Sequence, residues 1–206
     1  MPVSFDCECG RRWWSPPHVG CTECGPDATA VPDPIIWSVD RIDVPHGDIF
    51  LSGQLRDPER FADLASSGIS VFVDVAGAKR YVWRPTVDAI DVRGVTYMEV
   101  PGVEDVNTDL PAFAFEAVAD AINDAVARKE PVLLFCAAGL KRSPHLLYGV
   151  LRSWGIDAEA AWAKISAARP FVDPWEPYLA AAERWVAMLA ARPSEERLAA
   201  NVRQRR

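Results

Sequence analysis

The sequence lacks an apolar run long enough to cross a membrane. One of its longest apolar stretches, residues 132–140, is far shorter than the roughly 18 residues that a span requires. The first thirty residues contain charges and cysteines and no apolar segment typical of a secretory signal. Positive charge is not in excess either, because the formal net charge is −7, and this disfavours a general role in nucleic-acid binding. We therefore expect a cytoplasmic protein that binds neither a membrane nor a nucleic acid.

Internal repeats and low-complexity segments are also missing from the chain. Hydrophobic residues make up 50% of the 206 positions and charged residues 25%, which is the balance of an ordinary globular protein. A chain of this length buries enough surface to build a core without covalent staples. We expect one main domain with a small appendage.

Cysteine is scarce beyond the first 24 residues, which contain four of the five cysteines. These four form two pairs, one with a single residue between its members and one with two, and each pair is followed by glycine. In a reducing compartment such thiolates favour a soft metal over disulfides. The pattern resembles a zinc ribbon, which implies structural zinc bound by Cys7, Cys9, Cys21 and Cys24. Iron in a rubredoxin-like site and a redox-active dithiol are the alternatives.

The segment after the cysteines divides the chain. Residues 28–34 combine proline with small residues and predict a linker between the N-terminal segment, residues 1–27, and the main domain, residues 35–192. The polar residues 193–206 predict a flexible tail.

The main domain alternates segments typical of strands with segments typical of helices. Strands are predicted at residues 35–39, 48–53, 69–75, 95–100 and 132–135, the first two as a hairpin. Helices are predicted from Asp57 to Gly68, at 86–92, from 110 to 129 with Asp109 as a cap, from Ser143 to Trp154, from Asp157 to 168 and from Trp175 to Leu189. The alternation indicates an α/β fold with a central, mostly parallel sheet flanked by helices.

The remaining cysteine, Cys136, follows the predicted buried strand at 132–135 and opens the segment Cys-Ala-Ala-Gly-Leu-Lys-Arg-Ser. A strand, a short glycine-containing loop and the start of a helix bring several backbone N–H groups around one point, and such a nest binds anions. The same groups lower the pKa of a thiol. Arg142 can bind two phosphate oxygens with its planar fork. We expect a phosphate site with a nucleophilic cysteine.

This loop resembles the C-x5-R-[ST] signature of the cysteine-dependent phosphatases, specifically the dual-specificity group. Residues 49–53, 68–75, 97–105 and 167–179 are similar to further segments of that family in the same order, so the resemblance covers roughly residues 35–190. It implies hydrolysis of phosphate monoesters, with phosphotyrosine or phosphoserine/threonine proteins as the usual substrates. Small phosphates are alternative substrates, and no cofactor is implied for catalysis.

The resemblance also implies a role for each residue of the loop. Cys136 would form a phosphocysteine, and Ser143 would donate a hydrogen bond to its sulfur. Phosphate would be bound by the Arg142 side chain and by the backbone N–H groups of Ala137, Ala138, Gly139, Leu140, Lys141 and Arg142. The implied general acid is Asp105, 31 residues before the cysteine, with Glu104 and Asp109 as competing candidates.

Two positions depart from the family pattern. Phe135 stands where the family usually has a histidine that orients the loop, and Lys141 adds a positive charge before the arginine. Loss of that histidine could raise the thiol pKa and slow the reaction. A pseudophosphatase or scaffold that binds phosphate without turnover is one alternative, and a cysteine with only a packing role is another. We expect His145, in the helix after the loop, to be a surface or packing residue.

Overall fold

The computed structural model describes residues 38–55, 57–76, 85–101, 103 and 109–192, together with the backbone of residues 5–6 and 12–13. The two N-terminal pieces are paired antiparallel strands, β1 (Phe5–Asp6) and β2 (Arg12–Trp13). The remaining ranges form the main domain. Within the described ranges, no helix has both the length and the apolar character of a membrane span.

A five-stranded mixed sheet lies at the centre of the domain. Its strands are β3 (Asp40–Ile42), β4 (Ile49–Ser52), β5 (Val71–Asp74), β6 (Thr96–Glu99) and β7 (Val132–Phe135). Their order across the sheet is β3-β4-β7-β5-β6; β3 and β4 pair antiparallel, and the other pairs are parallel. Strand β7 is therefore central, and all four of its residues are buried. Burial on both faces explains why its sequence is apolar without alternation.

Different helices cover the two faces of the sheet. The helices are α1 (Pro58–Ser66), α2 (Val87–Arg93), α3 (Ala112–Arg128), α4 (Arg142–Ser153), α5 (Ala158–Ala168) and α6 (Glu176–Ala191). Because side chains alternate along a strand, Val73 and Leu134 face the layer of α3 to α6, whereas Leu133 and Phe135 face α1 and α2. The fold is the predicted α/β arrangement, with a mostly parallel sheet between two helical layers.

Local sequence explains where several helices begin. The Asp57 carboxylate accepts the N–H of Arg60 at 2.8 Å, and Pro58 occupies the first turn of α1. Thr86 and Asp157 cap α2 and α5 in the same way. The predicted helices and all predicted strands except the first are confirmed, with ends that differ by at most two residues.

The first strand of the hairpin differs from its prediction. It comprises Asp40–Ile42, and the predicted residues Ser38 and Val39 lie outside it; residues 35–37 of the prediction lie outside the described residues. Ile42 pairs with Ile49 and is buried, so this register places an apolar side chain in the core, and Ser38 and Val39 precede it.

The predicted cap of α3 is also wrong. Residue Pro111 occupies the cap position and makes no side-chain cap bond. The Asp109 carboxylate instead accepts the N–H of Leu110 at 2.9 Å and forms an ion pair with Arg184 on α6 at 2.6 Å. A tertiary ion pair has therefore replaced the local cap.

Candidate active site

Cys136 lies where the central strand β7 meets helix α4. The strand ends at Phe135, and residues 137–141 connect the cysteine to Arg142, the first residue of α4. The carboxyl edge of the parallel strands and the N-terminus of a helix converge here, and the helix dipole favours negative charge at this point. The connection 137–141 is called the anion loop below.

Two hydrogen-bond donors are fixed on the Cys136 sulfur. The N–H nitrogen of Gly139 lies 3.2 Å from Sγ, and the hydroxyl oxygen of Ser143 lies 3.3 Å from it. Burial raises the pKa of the thiol, but the positive charge of Arg142 and the hydrogen bonds from Ser143 and Gly139 lower it by more. The net pKa of Cys136 lies below that of an ordinary cysteine, so the site favours the thiolate.

The carbonyl groups of the anion loop are bound from outside the loop. The backbone N–H of Gln54 donates to the Ala137 carbonyl at 3.2 Å. The Arg169 guanidinium donates to two more: Nη2 to the Ala138 carbonyl at 3.2 Å and Nε to the Gly139 carbonyl at 2.7 Å. Three consecutive carbonyls are thus held by donors that belong to other parts of the fold.

A fourth carbonyl, that of Lys141, is bound from helix α4. It accepts the backbone N–H of His145 at 3.2 Å, and the Nδ1 atom of the same histidine lies 2.6 Å away. The Nε2 atom accepts the N–H of Trp175 at 2.9 Å, so Nδ1 must carry the proton. A neutral imidazole with one donor and one acceptor satisfies both bonds.

Binding the carbonyls from outside determines where the N–H groups of the anion loop point. In a trans peptide the N–H is directed opposite to the carbonyl of the preceding residue, and the described chain has no cis peptide bonds. The N–H groups of residues 138, 139, 140 and 142 are therefore directed away from the four outside donors. The Gly139 N–H, which bonds to the Cys136 sulfur, shows this direction. Inward N–H groups around a thiolate form the kind of concave site that binds an oxyanion.

Glycine is required at position 139 by both its conformation and its surroundings. Its φ angle is +68°, in the left-handed region that side chains disfavour. A Cβ atom there would lie 2.5 Å from the Ser52 carbonyl oxygen and 2.7 Å from Nη2 of Arg169. The loop can approach strand β4 and the arginine this closely only because no side chain intervenes.

Arg142 is held by carbonyl groups at the end of strand β5 and beyond β6. Its Nη1 atom donates to the carbonyls of Val75 at 3.4 Å, of Ala76, and of Val103 at 3.0 Å. The side chain is buried, with 3% of the residue exposed. These bonds use one corner of the guanidinium and fix its plane, and they do not use the edge formed by Nε and Nη2. That edge has the geometry for two oxygens of a phosphate.

Comparison with protein families identifies the chain. The sequence profile described as "Dual specificity phosphatase, catalytic domain" matches residues 53–182, which is more than half of its length. The chain belongs to the dual-specificity phosphatase family. Comparison with curated proteins gives no match.

Solved structures share the fold of this dual-specificity phosphatase at low identity. Human DUSP28 is 24% identical with a TM-score of 0.60, over 80% of this chain and 100% of that chain. PTPMT1 in complex with PI(5)P is 14% identical with a TM-score of 0.64, over 74% and 97%. The human tyrosine phosphatase-like serine/threonine/tyrosine-interacting protein is 16% identical with a TM-score of 0.62, over 74% and 98%. Similarity at this level establishes the fold.

The phosphatase site brings together the residues predicted for the anion loop: Cys136, Ala137, Ala138, Gly139, Leu140, Lys141, Arg142 and Ser143. The carboxylate of Asp109, a competing candidate for the acid, is paired with Arg184. Asp105 and Glu104 lie outside the described residues, as do Cys7, Cys9, Cys21 and Cys24. Among the described residues, no group of three or more His, Cys, Asp or Glu side chains could hold a metal ion.

Sequence reasoning missed two residues of the phosphatase site, Arg169 and His145. Arg169 follows two alanines at the end of α5 and has no local pattern that indicates a partner 30 residues earlier in the chain. His145 is a packing residue, as one of the two expectations had it, but it also bonds to the loop and is fully buried. The sequence signal that could have indicated a buried, hydrogen-bonded His145 was its position as a polar residue directly before an apolar helical run, residues 146–151.

His145 makes the stability of the domain depend on pH. Burial has the largest effect on the pKa of His145 and lowers it; the hydrogen bond to the Lys141 carbonyl opposes this, and the nearby charge of Lys141 adds a smaller lowering effect. The net pKa is about 4. An unfolded chain binds a proton at this residue at an ordinary histidine pKa, whereas the folded chain does not. Stability should therefore be complete above about pH 6.5 and fall as the pH decreases to about 4.

We predict that His145→Asn flattens this pH dependence. The difference between the two pKa values corresponds to about 3 kcal/mol of unfolding free energy between the two pH limits. Asparagine can still donate to the Lys141 carbonyl but does not titrate. Urea unfolding at about pH 4.5 and about pH 7.5 measures the difference. His46→Asn, at an exposed histidine, is the matched control and should keep the slope of the parent protein. Equal flattening in both variants would contradict the assignment.

Proposed function

We propose that this protein hydrolyses phosphate monoesters through a phosphocysteine at Cys136. The observation that carries the proposal is a buried thiol with a lowered pKa. Its sulfur accepts hydrogen bonds from Gly139 and Ser143 and lies among N–H groups of the anion loop that are directed away from the outside donors. A thiolate at the centre of an oxyanion site can attack a bound phosphoryl group. Arg142 stands at the helix start beside it and supplies positive charge.

The proposed reaction has two steps that leave the protein unchanged. In the first, the Cys136 thiolate forms a bond to phosphorus while the bond from phosphorus to the leaving oxygen breaks, and Asp105 gives its proton to that oxygen. In the second, the Asp105 carboxylate takes a proton from water, the water oxygen bonds to phosphorus, and the P–S bond breaks to return the thiolate. The Ser143 hydroxyl stabilises the departing sulfur. The loop N–H groups and Arg142 stabilise the charge on the three equatorial oxygens.

The position of Val103 supports Asp105 as the general acid. The Val103 carbonyl accepts a hydrogen bond from Arg142 at 3.0 Å, and the residue is fully buried. Two residues of chain span at most about 7 Å, so we infer that the general acid is among the residues directly after Val103, with Asp105 as the first candidate. Asp109, by contrast, is committed to its ion pair with Arg184.

The substrate of the proposed reaction is a phosphorylated protein or a small phosphate. The family favours phosphotyrosine and phosphoserine/threonine proteins, and the solved complex of PTPMT1 with PI(5)P shows that the same fold accommodates a phosphoinositide. Phosphate release from a panel of phosphopeptides, phosphoinositides and nucleotides separates these classes.

We predict that Cys136→Ser abolishes turnover and keeps binding of vanadate measurable. Serine is a poor nucleophile at neutral pH, whereas the loop N–H groups and Arg142 remain in place. Phosphate release measures the first effect and calorimetric titration with vanadate the second. Arg142→Ala is the companion variant and should weaken both.

Two outcomes would overturn the nucleophile assignment or the hydrolytic proposal. Full activity of Cys136→Ser on every substrate of the parent protein would show that the nucleophile lies elsewhere. Vanadate binding by a parent protein that releases phosphate from no substrate would favour a scaffold that recognises phosphate groups without turnover.

We predict that Asp105→Asn slows hydrolysis in a way that depends on the leaving group. Asparagine cannot donate the proton, so the rate for an alkyl phosphate should fall by about 100-fold or more. An aryl phosphate with a very good leaving group needs little protonation and should lose much less. Steady-state kcat on the two substrates gives the comparison.

Two neighbouring acids provide the controls for this prediction. Glu104→Gln and Asp109→Asn should show no dependence on the leaving group, because neither is proposed to transfer a proton. A large, leaving-group-dependent loss at Glu104→Gln would transfer the acid role to that residue. Equal small losses on both substrates for Asp105→Asn would exclude it.

We also propose that the N-terminal segment binds one structural zinc ion through Cys7, Cys9, Cys21 and Cys24. Strands β1 and β2 pair with each other, and the chain that joins them contains the first two cysteines. A cysteine pair in the connection of a short hairpin suits half of a tetrahedral thiolate site. Four thiolates leave no open coordination position, so the metal would stabilise the segment or bind a partner. Reduced thiolates of this kind fit the expected cytoplasmic location.

We predict that Cys21→Ser or a chelator releases about one zinc ion per chain and unfolds residues 1–27. Elemental analysis counts the metal and distinguishes zinc from iron, and hydrogen exchange reports the order of the segment. The phosphatase domain should keep its unfolding transition, because its core contains none of these four cysteines. Protein purified under reducing conditions without stoichiometric metal would refute the site.

A further inference from the structure

Arg169 is a buried cation whose contacts join the anion loop to the edge of the sheet. It follows the last residue of α5 and is fully buried. On one side its guanidinium donates to the Ala138 and Gly139 carbonyls. On the other side Nη1 donates to the Asp40 carboxylate, to the Ser38 carbonyl at 3.3 Å and to the Ser38 hydroxyl at 3.0 Å.

These contacts fix the guanidinium in one orientation. A buried positive charge is costly unless a counter-charge and hydrogen bonds surround it, and here both are present. The Asp40 carboxylate belongs to β3, whose register with β4 is set by the core residue Ile42. The position of the anion loop therefore depends, through Arg169, on the position of the edge strand β3.

One peptide group connects Arg169 to the sulfur of Cys136. Its carbonyl oxygen, on Ala138, lies 3.2 Å from Nη2 of Arg169, and its N–H, on Gly139, lies 3.2 Å from Sγ. Because the peptide is planar, holding the carbonyl sets the direction of the N–H. The next peptide is held through the Gly139 carbonyl at 2.7 Å, so the Leu140 N–H is directed away from the arginine.

We propose that Arg169 is a positioning residue that directs the N–H groups of Gly139 and Leu140 at the thiolate and at the bound phosphoryl oxygens. Its role rests on the proposed function of Cys136 as nucleophile. Arg169 contacts two loop carbonyls and a carboxylate at once, and a planar fork with several donors is needed for this. Lysine, which is a point charge, can replace the charge opposite Asp40 but not the paired bonds to the two carbonyls.

The effect of Arg169 is measurable without turnover. The N–H of Gly139 contributes to lowering the thiol pKa, so releasing the Ala138 carbonyl should reduce the thiolate fraction. Alkylation of Cys136 by iodoacetamide, followed by mass spectrometry of the peptide that contains it, gives a rate against pH whose midpoint reports the thiolate. Limited access of the reagent to the buried sulfur lowers the alkylation rate by the same factor at every pH. It therefore does not change the pH of the midpoint, and for this reason the midpoint is the quantity compared.

The variants are Arg169→Met, Arg169→Lys and the matched control Arg152→Met. Arg152 is a partly buried arginine that also forms an ion pair, to Glu183, and its contacts lie away from the anion loop. In Arg169→Met and Arg169→Lys the midpoint of the alkylation profile should rise to higher pH. At a pH below the midpoint the thiolate fraction should fall about tenfold, as expected for loss of one hydrogen bond to a charged group. Vanadate should bind about tenfold more weakly. Arg152→Met should change neither quantity, although it destabilises the fold.

Circular dichroism identifies variants that remain folded. If Arg169→Met does not fold, Arg169→Lys decides, since it keeps a cation beside Asp40. A folded Arg169 variant with the parent's alkylation midpoint and vanadate affinity would overturn the positioning role, and so would an equal shift in Arg152→Met. A raised midpoint in a protein that hydrolyses no phosphate ester would instead retain the positioning role and refute the proposed function.

Discussion

The planarity of the peptide bond is the constraint on which this site depends. Each peptide has a carbonyl end and an N–H end, and donors outside the anion loop hold the carbonyls of Ala137, Ala138, Gly139 and Lys141. The donors are a backbone N–H after β4, the guanidinium of Arg169 and the imidazole of His145. The N–H ends of these four peptides are then directed away from those donors, and the N–H of Gly139 bonds to the Cys136 sulfur. A loop made of alanine, glycine, leucine and one lysine has the geometry of an oxyanion site because its surroundings orient its backbone.

The same arrangement places two buried arginines at the site, and each of them has hydrogen-bond acceptors around it. Arg169 has Asp40 as counter-ion, and Arg142 is held by three carbonyls. His145 remains neutral because burial lowers its pKa to about 4. Phe135 belongs to the apolar layer under α1, beside Tyr97. The pKa of Cys136 is nevertheless below that of an ordinary cysteine, because the charge of Arg142 and the hydrogen bonds from Ser143 and Gly139 outweigh the effect of burial.

Much of the fold could be predicted from the sequence, because its signals are local. Asp57 and Asp157, at which two helices were predicted to begin, are the N-caps of those helices, and the apolar run at 132–135 is the central strand. The strand–loop–helix around Cys136 was predicted for the same reason, since its strand, glycine and helix start are adjacent in the chain.

The errors and omissions concern interactions between distant residues. Asp109 looked like a cap, but an arginine 75 positions later competes for its carboxylate. In the described part of the chain, Ser38 and Val39 lie outside the first strand, Asp40–Ile42, in which pairing of Ile42 with Ile49 sets the register. Arg169 had no local signal, since its partners lie 30 and 129 residues away. Periodicity and capping rules carry no information about such partners.

The order of the donors along the chain has a consequence for synthesis of the protein. Cys136 leaves the ribosome before Arg169 and Trp175 do, and until those residues dock, the Ala138 and Gly139 carbonyls and His145 lack their native partners. In the nascent chain the peptide whose N–H bonds to the sulfur is therefore not yet held at its carbonyl end. The hydrogen bonds around the anion loop are complete only after the end of α5 and the start of α6 have packed.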